Sequence, residues 1–248
     1  MDILQLVAAF SIGAVATFMF VATGGVGLIT TPSLIFLGLS PQTAIATDLF
    51  AMLGGRLGGL VGFLKTGQLD LKLALRLSVI AAVGAIIGAL LLLAIDEKIM
   101  RQVLSLVLLL LLGFLIFKPK AGTEDIEPSR AKVMVGHALF FLVGMWGTLI
   151  GAGVISLGSA VLLFIFNKRF LETAALLSVI GLAIGLVGMV MFGFNGIIDW
   201  PVGIVLLLGK LLGGYFGSLA AVKAGDKWVR YVFIVVVLVS AVALNLTA

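Results

Sequence analysis

The chain contains no cysteine, which excludes disulfides, thiolate metal ligands and thiol nucleophiles and leaves the compartment undecided on that ground. It has a single histidine, too few to pair with a nucleophile or build a metal-ligand cluster, so a membrane-embedded enzyme is weakly supported. No G-x-x-x-x-G-K-[ST] run occurs, which excludes a self-contained ATP-driven pump. Charge is the scarcest commodity of all. Asp, Glu, Lys and Arg make up 11% of 248 residues, whereas a soluble domain carries about 25%.

What is present is apolar. Hydrophobic residues reach 62% and the mean hydropathy is +1.33, so the solvent is lipid and the backbone must satisfy itself as helix. Apolar runs fall at 3–23, 43–64, 73–95, 102–117, 133–150, 172–193, 201–222 and 231–247, mostly near the ~20 residues that cross a bilayer. The first run has Asp2 as its only early charge and no basic stretch before it, so it is expected to stay in the mature protein rather than serve as a cleaved signal. A pI near 9.7 reads as cytoplasmic loop charge and not as nucleic-acid binding.

Residues 84–101 and 213–230 are two versions of one stretch. Gly84 pairs with Gly213, Gly88 with Gly217 and Arg101 with Arg230, all at the same spacing of 129 residues. Placing the polar linker 118–132 in the cytoplasm and counting crossings outward puts Lys65, Lys72, Arg76, Lys118, Lys120, Arg130, Lys132, Lys168, Arg169, Lys223, Lys227 and Arg230 inside. Only Lys98 and Arg101 fall outside. That count works only if each half opens with two shorter pieces broken at glycine, at 23–32 and 147–158, each pair entering and returning on one side. The fold class predicted is an all-α polytopic membrane protein, one membrane domain over 1–248. It divides into repeat 1 at 1–117, the cytoplasmic linker and repeat 2 at 133–248, the two repeats inverted and both chain ends outside the cell (inner) membrane. Inverted repeats imply alternating access around a midplane site.

That site belongs at the breaks, where freed amides and helix amino ends attract an anion. Gly24, Gly25, Gly27, Thr30, Thr31 and Pro32 mark the first break, and Gly151, Gly153 and Ser156 the second. Two cations lie inside apolar runs, Arg56 in GGRLGG and Lys210 beside Gly209, and each needs a partner or a wet cavity. Facing that cavity uncompensated, they favour an anion over a cation. The alternative is that one of them pairs with Asp48 from another helix or snorkels to an interface. Asp48 itself is too far along the same helix, a rise of about 12 Å, to reach Arg56 comfortably. It is the candidate for proton coupling.

Smaller features carry less. Thr23, Ser33, Thr47, Ser159 and Ser178 also cluster near the breaks, and such hydroxyls commonly bond a carbonyl one turn back. Trp146 is a candidate to shape an organic tail, or an interfacial aromatic. His137 reads as structural. Asp70 and Asp199 share the 129 spacing and each precedes an apolar run, so both read as helix caps. Glycines four apart, as at Gly54 and Gly58 or Gly181 and Gly185, permit close helix packing; a homodimer is left open.

GGVGLITTPSL at 24–34, the alanine-rich helix after it, and G-x-x-D at Gly67 to Asp70 resemble the TauE/SafE family, whose members are described as sulfite exporters or anion permeases. The resemblance spans essentially the whole chain; the second half departs from it with Gly158 where a proline is usual. It implies a transporter of sulfur-containing anions such as sulfite, sulfonates or sulfoacetate, with no cofactor, the bilayer and a small anion being the partners. Together with the buried cations it points to a secondary transporter of small oxyanions, with Arg56 as principal charge partner and Lys210 second. An anion channel, or a carrier of a carboxylate-type anion, is the alternative. The topology has a direct check: a reporter fused to the carboxyl end is expected on the outer face, and a cytoplasmic reading refutes the orientation.

Overall fold

Ser40 and Pro41 start the helix around which the rest is arranged. The computed structural model describes residues 3–67, 69–95, 129–151 and 153–225. The runs predicted at 102–117 and 231–247, most of the linker, and the Arg101/Arg230 pair lie outside the described residues. Within them the chain is entirely helical: α1 (Ile3–Phe20), α2 (Val26–Phe36), α3 (Pro41–Phe63), α4 (Leu71–Ala94), α5 (Arg130–Leu149), α6 (Val154–Phe164), α7 (Phe170–Phe194) and α8 (Trp200–Ala224). The helix caps predicted from sequence are present. Asp70 accepts from the Leu73 amide at 2.9 Å and Asp199 from the Val202 amide at 3.2 Å, so each carboxylate satisfies one first-turn donor.

Six of these helices are long and apolar enough to cross a membrane, and α2 and α6 are not. Each has 11 residues, a rise of about 16 Å, roughly half a hydrocarbon layer. The sequence predicts two short pieces at each break; the structure has one. α1 and α5 run 18 and 20 residues because the interrupting glycines sit together at one point, leaving the apolar run before them intact. Each short helix then doubles back beside its long neighbour. Gln5 at the start of α1 donates to the Leu37 carbonyl just beyond α2 (3.3 Å), and Gly136 early in α5 packs on Phe166 just beyond α6.

Glycine decides how closely the long helices approach. Gly209, Gly213 and Gly217 of α8 face the α1 backbone at Phe10, Ala14 and Phe18, while Gly84 and Gly88 of α4 face the α5 backbone at Phe141 and Met145. The glycines that share the 129-residue spacing therefore do the same job in α4 and α8, admitting a neighbouring backbone where a side chain would collide. Thr148 reinforces the α4–α5 contact by donating to the Ala85 carbonyl at 2.6 Å. α3 packs on α8 in parallel, Gly54 facing Leu207 and Gly62 facing Ser218. It packs on α7 antiparallel, Gly59 facing Ser178 and Gly188 facing Leu49.

α3 is thus the central helix, and its membrane-length window is the most enclosed of the six. Large apolar side chains outside it point away from the bundle, including Val15 and Phe18 on α1, Val79 and Val83 on α4, and Leu208, Leu212 and Phe216 on α8, as a lipid-facing surface requires. These packing directions bring Lys65, Lys72, Arg76, Arg130, Lys132, Lys168, Arg169 and Lys223 to one end of the bundle. The described residues of the opposite end, at 37–40, 95 and 195–199, include no lysine or arginine.

The packing makes a paired prediction. Gly84→Val and Gly213→Val each force a side chain against a neighbouring backbone and are expected to destabilise by about 1–3 kcal/mol each, read as similar drops in Tm in detergent. Substitution of Gly67, whose outward direction is open, tests position: Gly67→Asn, which tolerates its φ of 65°, is expected to leave Tm within a degree or two.

Candidate functional site

The two breaks meet at the centre of the bundle. Gly24, at φ 90°, turns the chain from α1 into α2, and Gly151 and Gly153, at φ 74° and 75°, turn it from α5 into α6; these are left-handed conformations that side-chain-bearing residues avoid. The Gly24 turn touches the start of α6. A Cβ on Gly24 would lie 2.7 Å from the Ser156 amide nitrogen, so the first turn of α6 abuts the start of α2. From this point α2 runs toward the Gln5 end of α1 and α6 toward the Gly136 end of α5. Two helix amino ends therefore converge from opposite directions.

Between them lies a cavity of about 20 Å³, space for roughly one water. Its wall takes Gly24 and Gly27 from the first break and Gly151 and Gly153 from the second, together with Asp48 and Arg56 of α3, Lys210 of α8 and Thr17 of α1. Seven residues singled out from sequence thus share one wall: Gly24, Gly27, Asp48, Arg56, Gly151, Gly153 and Lys210. Others stand behind it. Gly25 ends the turn, its carbonyl accepting from the Leu28 amide at 3.2 Å; Pro32 lies within α2; Ser156 is buried in the first turn of α6.

The two buried cations are in different electrostatic states. Lys210 Nζ lies 2.8 Å from Asp48 Oδ1 and 3.3 Å from Thr30 Oγ1, while Thr31 donates to Asp48 Oδ2 at 3.2 Å. Thr30 also donates to the Val26 carbonyl at 3.1 Å, so its hydroxyl both gives and accepts. The pair ties α3 and α8 to the short helix α2. The expectation of two uncompensated cations is therefore corrected to one, because parallel packing of α3 on α8 sets Asp48 beside Lys210. Arg56 is the remaining one. It is 2% exposed, its Nη1 donates to the Val21 carbonyl freed at the first break (3.4 Å), and its Nε is buried with no acceptor. No carboxylate pairs with it among the described residues.

Thr17 is a site residue that sequence reasoning missed. It is 1% exposed, its Oγ1 lacks a partner, and it lines the cavity. The available signal was its place one turn before the break, the only hydroxyl between Ser11 and Thr23. Trp146 corrects the reading the other way. It lines an apolar groove between α5 and α6 with Leu142, Leu157 and Phe164, not the wall of the central cavity. His137 stands edge-on to Phe166 at 6.2 Å, also away from it. The simple one-turn-back hydroxyl bond holds for Ser33, to Ile29, and Ser178, to Ala174.

Crossing helices, two half-length helices meeting end to end and buried charges at their junction define a multi-pass membrane transporter. Residues 9–244 match the sulfite exporter TauE/SafE family, and the chain belongs to it. A "Probable membrane transporter protein" of Haemophilus influenzae is 27% identical over 221 residues, covering 89% of this chain and 87% of that protein. "Probable membrane transporter protein YfcA" of Escherichia coli K12 is 25% identical over 231 residues, 92% and 84% respectively. "Probable membrane transporter protein ORF9" of a Sinorhizobium species is 25% identical over 239 residues, 93% and 88%. No solved structure matches.

The ion pair makes its own prediction. Lys210→Met leaves Asp48 buried and unpaired and is expected to destabilise by about 3–5 kcal/mol, whereas Lys210→Met with Asp48→Leu recovers most of that loss. Thermal unfolding of the singles and the double in detergent checks it; additive effects refute the pairing.

Proposed function

We propose that the protein is a secondary transporter of small sulfur-containing or organic oxyanions, of the sulfite, sulfonate and sulfoacetate class, working by alternating access. The single observation that carries this reading is Arg56, a fully buried guanidinium with no carboxylate partner among the described residues and an unpartnered Nε, set where two helix amino ends converge. An unpaired charge at such depth is costly unless an anion or water compensates it. An oxyanion suits the donors on offer, since a guanidinium presents a planar fork and first-turn amides add directed N–H groups. The family name adds sulfur to the class.

Alternating access is supported by the way the helices pair. Exchanging α1 with α5, α2 with α6, α3 with α7 and α4 with α8 reproduces the principal neighbour pairs: α1 on α8 becomes α5 on α4, and α3 on α8 becomes α7 on α4. α3 and α7 run antiparallel, which supports two inverted repeats around a central site, and a cavity of about 20 Å³ lined by both breaks sits where such a cycle needs its site. The gathering of basic side chains at one end supports placing that end in the cytoplasm of a cell (inner) membrane. Asp48 is the coupling group in this reading, being the carboxylate in the wall of the site.

Uptake into proteoliposomes, with sulfite, sulfate, sulfoacetate and taurine compared with and without a pH gradient, tests substrate and coupling together. Arg56→Ala is expected to weaken oxyanion binding at least about 30-fold, the equivalent of about 2 kcal/mol. Full binding of every oxyanion by that variant refutes the site.

A further inference from the structure

The cavity wall holds two cations and one carboxylate, Arg56, Lys210 and Asp48, so its formal charge is a single positive unit when Asp48 is ionised and two when Asp48 carries a proton. We propose that Asp48 sets the valence of the anion that this site accepts: ionised against Lys210 it admits a monoanion, and a dianion enters only together with one proton on Asp48. The proposal rests on the anion-transport reading above and specifies its substrate by charge.

The physical ground is that a buried site tolerates little net charge. Each uncompensated unit in a low-dielectric interior must be matched by a counter-charge or expelled. With Asp48 ionised, Lys210 is already compensated at 2.8 Å and Arg56 alone awaits a partner, so one negative charge completes the site. A second negative charge would stand beside the Asp48 carboxylate with no cation left to meet it. Protonating Asp48 removes that repulsion and releases Lys210 Nζ toward the ligand. The amino ends of α2 and α6 contribute partial positive charge in both states, so they raise affinity for any anion without changing the difference between the two.

The geometry is suited to this exchange. Asp48 Oδ1 meets Lys210 and Oδ2 accepts from Thr31, and both Asp48 and Lys210 also line the cavity, so a ligand there competes with the carboxylate for the ammonium. Among the described residues, the charged groups facing Asp48 are few. α8 presents Lys210, α2 presents Thr31, α7 presents Gly185 and Gly188 at the neighbouring Leu49, α1 presents Thr17 to the same cavity, and α3 itself adds Arg56 two turns along. Thr30, accepting from Lys210 at 3.3 Å, holds the ammonium near the cavity when the carboxylate is neutral. Charge control is confined to one carboxylate because the repeat-equivalent positions are apolar: at the spacing of 129 residues Asp48 corresponds to Leu177, Arg56 to Gly185 and Lys210 to Ala81.

The test uses purified full-length protein and two anions whose own charge is constant near neutral pH: methanesulfonate as monoanion and sulfate as dianion. Sulfite titrates in this range and is unsuited. Binding is measured by calorimetry between about pH 5 and about pH 8. Methanesulfonate affinity is expected to be flat, and sulfate affinity to strengthen by up to about tenfold per unit fall in pH, the signature of one linked proton. Asp48→Asn is expected to bind sulfate without that slope. Where this single variant fails to fold for want of a partner to Lys210, Asp48→Asn with Lys210→Gln keeps the site at one positive charge: methanesulfonate still binds, and sulfate binding stays weak at every pH. Equal slopes for the two anions, a sulfate slope that survives in the double variant, or no sulfate binding by the wild type at the lowest pH overturns the proposal. Absence of binding by both anions to the wild type refutes the transport reading instead.

Discussion

A helix may be interrupted inside a bilayer only where protein or water takes over the hydrogen bonds that the interruption releases, and the organisation of this molecule follows from meeting that requirement twice at one place. Gly24 and the Gly151–Gly153 turn each end a crossing helix; Gly24 packs against the first turn of α6 and Gly151 lies beside Ile45 and Leu49 of α3. The carbonyl freed at Val21 is met by Arg56. The amides freed at the starts of α2 and α6 converge on a cavity rather than on lipid. The interruption that is a liability in hydrocarbon thereby becomes the polar centre of the protein.

Close packing makes such a centre tolerable. Without a hydrophobic force between helices in lipid, association depends on contact and on satisfied polar groups, and glycine supplies the contact along α3, α4 and α8. Gly181 packs against the aliphatic stem of Arg56 and Gly55 lies near the stem of Lys210, so the apolar parts of both long cations are enclosed while their charged ends reach the cavity. The Asp48–Lys210 pair adds a second constraint. It links α3 to α8 and, through Thr30 and Thr31, to a helix too short to anchor itself across the membrane.

The two halves share a scaffold and differ in chemistry. Equivalent glycines admit equivalent neighbours in α4 and α8, and Asp70 and Asp199 cap equivalent helices. Charge is distributed otherwise. Arg56 and Asp48 come from one half and Lys210 from the other, none with a charged counterpart at the matching position.

Much of this was legible in the chain before any coordinates. Hydropathy required helices in lipid, glycine clusters marked the breaks, the spacing of 129 residues exposed the duplication, and Arg56, Lys210 and Asp48 stood out because charge inside an apolar run is rare. These are local signals, written in composition and spacing. The pairing of Asp48 with Lys210 spans 162 residues, and it was decided by the register in which α3 lies along α8, which no local pattern encodes. The same holds for Thr17, an unremarked hydroxyl until its helix face turned to the cavity, and for Trp146, which lines a separate groove. Sequence by itself determined the solvent, the helices, the breaks and which charges were buried, because those follow from the free energy of each segment in lipid. Only the tertiary structure decided which buried charge was neutralised and which was left without a carboxylate among the described residues, because that depends on distances between segments remote in the chain.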